Sequence, residues 1–159
     1  MALIFGIESS CDETAAAVVR YGATVLSNSV VSQHELHAKF GGVVPEIATR
    51  AHLQRILPVI EKAREDAAVP WSDIDAIAVG HRPGLIGSLL VGVSAAKALA
   101  WSLNKPLIGV DHVQAHLYAC HLDADPPRYP ALGLVISGGH TSLYHMADPL
   151  NITRIGHTI

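Results

Sequence analysis

Two imidazoles stand four residues apart in Asp111-His112-Val113-Gln114-Ala115-His116. On a helix that spacing stacks them on one face, one turn apart, where they can share a metal ion. Two histidines are half of a tetrahedral set, so the remaining protein ligands must come from elsewhere in the fold. The chain holds ten histidines, and such a pair also arises from side chains satisfied by hydrogen bonds or solvent; spacing alone leaves both readings open. Val113 stands where the His-Glu-x-x-His arrangement of zinc peptidases has its glutamate, so the general base of that mechanism is absent.

Three other stretches carry polar groups or glycines at element ends. Ser9-Ser10-Cys11-Asp12-Glu13-Thr14 sets hydroxyls and paired acids between two strands, where they either face a cleft or cap neighbouring amides. Gly80-His81-Arg82-Pro83-Gly84-Leu85-Ile86-Gly87-Ser88 reads as a turn whose end opens a helix, and the unpaired amides of a helix start attract phosphate or carboxylate. It is neither a Gly-x-Gly-x-x-Gly fingerprint nor a Walker loop, and an ordinary connection explains it equally well. Ser137-Gly138-Gly139-His140-Thr141 turns one strand sharply into another and brings backbone amides within reach of a ligand.

The elements that must position these groups are legible from pattern. Leu3 to Glu8 reads as a buried strand, followed by strands Ala15 to Arg20 and Ala23 to Val30 around a tight Tyr21-Gly22 turn. Ser32 to Pro45 has weak periodicity; Gly41-Gly42 reads as flexible backbone, and His34 and His37 as surface residues. A helix from Glu46 to Ala67 has its stripe at Ile47, Ile56, Val59, Ile60 and Ala63, with Pro58 as a bend near Leu57. A fourth strand, Ala76 to Val79, precedes the Gly80 turn. A helix with small residues at Gly92, Ala95, Ala96 and Ala100 runs from Leu89 to Leu103. The fifth strand, Leu107 to Val110, delivers the histidine helix, His112 to about Leu122. Asp123 to Pro130 reads as a boundary, and Ala131 to Ile136 with Ser142 to Met146 as a hairpin beyond it.

The chain has 159 residues, 50% of them hydrophobic and 16% charged, enough for a sizeable core and against disorder. Strand-helix alternation with few aromatics points to an α/β fold. No run reads as the roughly 18 uninterrupted apolar residues of a membrane span, and no basic leader is legible in Met1 to Ser9, so the expected address is cytoplasmic. Cys11 and Cys120 read as free thiols. A net charge of −3 gives no footprint for nucleic acid on this segment by itself, so such a substrate would need a local patch, further sequence or a partner. The end of the chain reads as cut, because two strands cannot bury a second core.

Taken in order, Gly6-Ile7-Glu8-Ser9-Ser10-Cys11-Asp12-Glu13-Thr14, Gly41-Gly42-Val43-Val44-Pro45-Glu46, Pro83-Gly84-Leu85-Ile86-Gly87-Ser88-Leu89 with Val91-Gly92, His112-x-x-x-His116 and Ser137-Gly138-Gly139-His140-Thr141 resemble the N-terminal part of the tRNA N6-adenosine threonylcarbamoyltransferase family, formerly labelled O-sialoglycoprotein endopeptidases. The resemblance implies an actin-, sugar-kinase- and Hsp70-like (ribonuclease H-like) fold: a first lobe at residues 1–122 on a mixed five-stranded sheet, a connection at 123–130, and the opening hairpin of an incomplete second lobe at 131–159. One departure stands out. The family usually carries a threonine, a variable residue and a glycine before Pro-Gly-Leu, where this chain has Gly80, His81 and Arg82; Arg82 could meet a phosphate or point to solvent.

The resemblance also implies chemistry. The family transfers the threonylcarbamoyl group from threonylcarbamoyl-AMP to N6 of adenosine 37 in tRNAs reading codons that begin with A. By that resemblance His112 and His116 are ligands of one divalent metal, iron or zinc, with a third ligand in the second lobe, and Val135, Ile136, Ser137, Gly138 and Gly139 contact the adenylate. Asp12 and Glu13 are the catalytic candidates, Glu13 the better placed to position or deprotonate the incoming amine. Arg82 and Gly84 are candidates for the phosphate side. Expected partners are tRNA, a paralogous non-catalytic subunit and an ATPase subunit, with homodimerisation through the N-terminal helices as a further expectation and no membrane. The segment alone is expected to be inactive. Two alternatives remain: a non-catalytic subunit of the same complex, disfavoured by the retained His112/His116 pair, and a metallopeptidase, disfavoured by Val113.

Overall fold

The computed structural model describes residues 2–122, 126–139 and 141–158. These fall into two compact units, Met1–His112 and Val113–Ile159. Of the expected connection at 123–130, residues Asp123, Ala124 and Asp125 lie outside the described residues, as does His140 of the glycine turn.

The first unit is built on β1 (Leu3–Glu8), β2 (Glu13–Arg20), β3 (Thr24–Ser32), β4 (Ala76–Arg82) and β5 (Leu107–Asp111), ordered β3-β2-β1-β4-β5. β3, β2 and β1 form an antiparallel meander, and β4 and β5 extend β1 in parallel. The meander follows from its turn: Tyr21 and Gly22 both have positive φ, 56° and 71°, and Ala23 N–H donates to Arg20 O, the mirror-image turn whose twist matches a hairpin. The parallel half follows from the two helices that intervene.

The 23-residue α2 (Pro45–Ala67) begins on Pro45, whose missing N–H costs nothing in a first turn. It runs unbroken through Pro58, which is exposed, so the carbonyl left without its helical donor faces water. Its buried stripe is Ala48, Ala51, His52, Ile56, Val59, Ile60 and Ala63, packed on β2 and β3, while Ile47 is only half-buried. Phe5, Ile7, Val18, Ile77 and Val79 complete the core from the sheet, with Ile74 just before β4.

Helix α3 (Ile86–Leu103) is long and apolar enough to cross a membrane by length and composition, although Ser88, Ser94, Lys97 and Ser102 interrupt its apolar run as the sequence reading has it. Here it packs on β4, β1, β5 and α2 and buries Ser88, Val91, Gly92, Ala96 and Ala100. Its other face leaves Ile86, Leu90 and Trp101 exposed.

Two local readings are corrected. The Ser32 to Pro45 stretch contains a one-turn helix, α1 (His34–Ala38), and His37 is buried rather than on the surface. Its Nε2–H donates to Gln33 Oε1 at 3.2 Å and its Nδ1 accepts from Val44 N–H at 3.3 Å, tying the loop before α2 to the end of β3. Gly80, His81 and Arg82 belong to β4, not to a turn; a bulge between Gly80 and Arg82 keeps the strand paired with β5 as far as Asp111.

In the second unit, β6 (Ala131–Ile136), β7 (Thr141–Met146) and β8 (Ile152–His157) form an antiparallel sheet in that order, so the expected hairpin gains a third strand. Gly133 of β6 has no room for a Cβ, which would meet Leu117 Cδ2 at 2.5 Å and Met146 Sδ at 3.0 Å. The opposite face of β6 exposes Leu132, Leu134 and Ile136.

Candidate functional site

The parallel strands β1, β4 and β5 end side by side, and the residues leaving their carboxyl ends share one edge of the sheet. His112 follows β5 directly and opens α4 (His112–Tyr118), which also carries His116 one turn on. The histidine helix is thus shorter than expected; Ala119–His121 continues it as a single 3-10 turn.

The side chains brought against His112 come from β1 and the residues after it. Glu8 Oε2 lies 3.3 Å from His112 Nδ1, and Ser10 Oγ lies 3.1 Å from Nδ1 and 3.4 Å from Nε2. Ser10 N–H donates to the other carboxylate oxygen, Oε1 of Glu8. Glu8 and His112 flank β4, so the carboxylate reaches across that strand at Gly80, where a Cβ would overlap Glu8 Oε2.

The hydroxyls of the post-β1 turn are buried and satisfied rather than open to a cleft. Ser9 Oγ donates to Ser88 O at 2.8 Å and accepts from Gly92 N–H at 3.1 Å. Thr14 Oγ1 lies 2.8 Å from His52 Nδ1, and His52 Nε2–H donates to Cys11 O at 3.0 Å. Gly84 closes over the same turn: a Cβ there would lie 2.6 Å from Ser10 O, and the next amide, Leu85 N–H, donates to that oxygen at 2.8 Å.

The other candidates take distinct places. Asp12 is half-buried and its carbonyl accepts from Gln33 N–H at 2.9 Å; Glu13 is exposed at the start of β2, paired with Ser32. Arg82 is largely exposed, its Nε 3.6 Å from Asp111 Oδ2, while His81 Nδ1–H donates to Val110 O at 3.0 Å. In the second unit His116 is exposed, Val135 and Ile136 end β6, and Ser137, Gly138 and Gly139 are exposed beyond it; a Cβ on either glycine would meet nothing within 4 Å among the described residues.

Charge follows contact. Burial raises the Glu8 carboxyl, but hydrogen bonds from His112 and Ser10 outweigh it and hold the group below its ordinary range. The Glu8 hydrogen bond raises His112, against the opposing effect of burial. Burial keeps His52 below its ordinary value. The Cys11 thiol is pushed up to about 11 by partial burial and then by Asp12, Glu13 and Glu8, so it is no thiolate nucleophile at neutral pH. Cys11 and Cys120 are both free.

The chemistry at His112 suits a metal ligand: a carboxylate on one ring nitrogen is the usual outer partner of a ligating histidine, and it directs the lone pair to the other nitrogen. Among the described residues no group of three or more His, Cys, Asp or Glu side chains forms a ligand set. Glu8 and Ser10 are not legible as site residues in the sequence, because Glu8 reads as the end of a strand and its partner stands 104 residues away.

The model of the family described as tRNA N6-adenosine threonylcarbamoyltransferase matches residues 24–159. The chain belongs to that family. Relatives bearing the family's name are 60% identical over 157 residues in Symbiobacterium thermophilum, 58% over 159 in Rhodopirellula baltica and 52% over 156 in Staphylococcus aureus strain JH9. Each alignment takes in 98–99% of this chain but only 44–46% of the relative, so the chain spans less than half the length of these threonylcarbamoyltransferases. Among solved structures, YeaZ from Pseudomonas aeruginosa superposes with a TM-score of 0.64 at 18% identity, over 99% of this chain and 67% of that one. A second structure, described as an uncharacterized protein with similarity to peptidase YEAZ from Pseudomonas aeruginosa, gives 0.66 at 18%, over 98% and 64%. At that identity the likeness speaks to fold: an actin-like, ribonuclease H-like lobe with the mixed five-stranded sheet expected from the sequence.

Proposed function

We propose that the full-length protein carrying this chain transfers the threonylcarbamoyl group from threonylcarbamoyl-AMP to N6 of adenosine 37 in tRNAs reading codons that begin with A. The observation that carries this reading, beside family membership, is the His112 ring held by Glu8 and Ser10 at the carboxyl ends of the parallel strands.

His112 and His116 would hold iron or zinc, with a third ligand from residues after Ile159. When bound, such an ion supplies a Lewis acid for the carbamoyl carbonyl. The buried Ser9–Ser10 turn, fixed by α3 and Gly84, keeps that edge of the sheet preorganised. Asp12 and Glu13 orient the incoming amine, and Glu13, the more exposed of the two, is the better placed to take its proton. Val135, Ile136, Ser137, Gly138 and Gly139 are the adenylate contacts of this reading, and Arg82 and Gly84 its candidates for phosphate. The paralogous subunit docks on α2 and α3, whose Leu53, Leu57, Ile86, Leu90 and Trp101 are exposed; tRNA and an ATPase subunit complete a cytoplasmic assembly.

The test is metal analysis beside a transfer assay on full-length wild type, His112→Ala and His116→Ala. Both variants are expected to lose metal and transfer together, with the exposed His116→Ala melting near wild type. A His116→Ala protein that keeps its metal and its rate overturns the assignment.

A further inference from the structure

The carboxyl ends of the parallel strands bring together Glu8 ending β1, Gly80 in β4, which pairs with Val110, and His112 just past β5. Adjacent strands are about 4.8 Å apart, so β1 and β5 stand about 10 Å apart with β4 between them. A glutamate side chain spans that gap only if the middle strand offers no side chain in its path. Gly80 meets this condition, since a Cβ there would overlap Glu8 Oε2.

The carboxylate is then used at both oxygens. Oε1 accepts from Ser10 N–H and Oε2 faces His112 Nδ1. Both positions call for an acceptor, because a backbone amide can only donate and the Nδ1 contact is productive when the ring nitrogen carries its proton. A glutamine could satisfy one of the two; its amide nitrogen would oppose a donor at the other. An aspartate would fall short of the span.

We propose that Glu8, given passage by Gly80, is the positioning residue that fixes His112 in the Nδ1–H tautomer and so presents Nε2 as its metal-ligating atom. The inference rests on the reading of His112 as a ligand and adds to it a residue outside the histidine pair. Removing such an outer partner commonly costs about 10- to 100-fold in metal affinity. Gly80 acts only through Glu8, and Gly80→Ala perturbs the pair without altering either partner.

The experiment is a Zn2+ titration of the full-length protein against a chromophoric chelator, for wild type, Glu8→Gln, Gly80→Ala, His112→Ala and the control Gly6→Ala. Among the described residues a Cβ at Gly6 meets only Ala17 O, at 3.9 Å. Glu8→Gln and Gly80→Ala should each weaken Zn2+ by about 10- to 100-fold, with Gly6→Ala at wild-type affinity. A measurement that needs no variant accompanies it: ring 15N shifts of His112 in metal-free wild type at mildly alkaline pH should report the Nδ1–H tautomer. Zn2+ affinities of Glu8→Gln and Gly80→Ala within about twofold of wild type, while His112→Ala loses the ion, overturn the role of Glu8 and leave the ligand reading intact. An Nε2–H tautomer does the same. If His112→Ala binds Zn2+ as wild type does, the ligand reading itself falls, and the inference with it.

Discussion

The Ser9 hydroxyl is inserted into the first turns of α3, donating to Ser88 O and accepting from Gly92 N–H, so that Ser9 and Gly92 touch with no space for a Cβ on the glycine. Alanine in place of a helical glycine ordinarily gains about 1 kcal/mol. Here overlap with Ser9 should outweigh that gain, and Gly92→Ala should destabilise by about 1–3 kcal/mol. In urea melts the Ser9→Ala/Gly92→Ala double variant should lose less than the sum of the single variants, because Ser9→Ala removes the overlapping oxygen.

His52 is fully buried between Thr14 and Cys11 O and is held below its ordinary value of about 6.5. In the window between that value and its lowered folded one, the unfolded chain binds more protons than the folded chain, so stability rises with pH there. The His52 contribution is complete above about 6.5 and is lost as pH falls. His52→Gln should be less stable at neutral pH by about 1–3 kcal/mol for its lost hydrogen bonds and should show a shallower acid slope. Melting temperatures from pH 7.5 to 5 check this, and an unchanged slope contradicts it.

The Glu8–His112 pair has the opposite dependence on its alkaline side. Glu8 is lowered, so its contribution is present above about 4.5 and lost as pH falls through the folded value; His112 is raised, so its contribution is present below about 6.5 and lost as pH rises through the folded value. In metal-free protein the pair should therefore stabilise most between those limits. The stability difference between wild type and His112→Ala should peak in that window and shrink on either side.

A Cβ on Gly138 would meet nothing within 4 Å among the described residues. Gly138→Ala should leave the melt within about 0.5 kcal/mol of wild type. A fall in transfer rate would then report on bound adenylate rather than on folding. Gly84→Ala, whose Cβ would lie 2.6 Å from Ser10 O, should by contrast lower stability and rate together.

Strand and helix order were legible because apolar period, the Tyr21-Gly22 turn and Pro45 act locally. β4 was harder to delimit: Gly80 and Pro83 signal a turn, yet pairing with β5 holds the strand through its bulge to Arg82. Buried His37 and His52 could not be told from surface histidines, since what buries them is a loop or a helix met only in space. The acids offered by sequence, Asp12 and Glu13, stand in a conspicuous polar turn. Glu8, at the end of an apolar run, is the one brought to His112. His112 itself was legible through its spacing to His116, a property of one helix.

The crossing of Glu8 over Gly80 ties the site to the order in which the sheet is built. The β1-β2-β3 meander closes short loops, whereas β4 and β5 reach β1 through two helical crossovers, and closures over longer stretches of chain are slower. A nascent chain that has its hairpins but not its parallel edge has a native-looking meander and no carboxylate–imidazole pair. The Glu8–His112 contact thus reads out completed topology, and a lesion anywhere along the crossovers can break it without touching either residue.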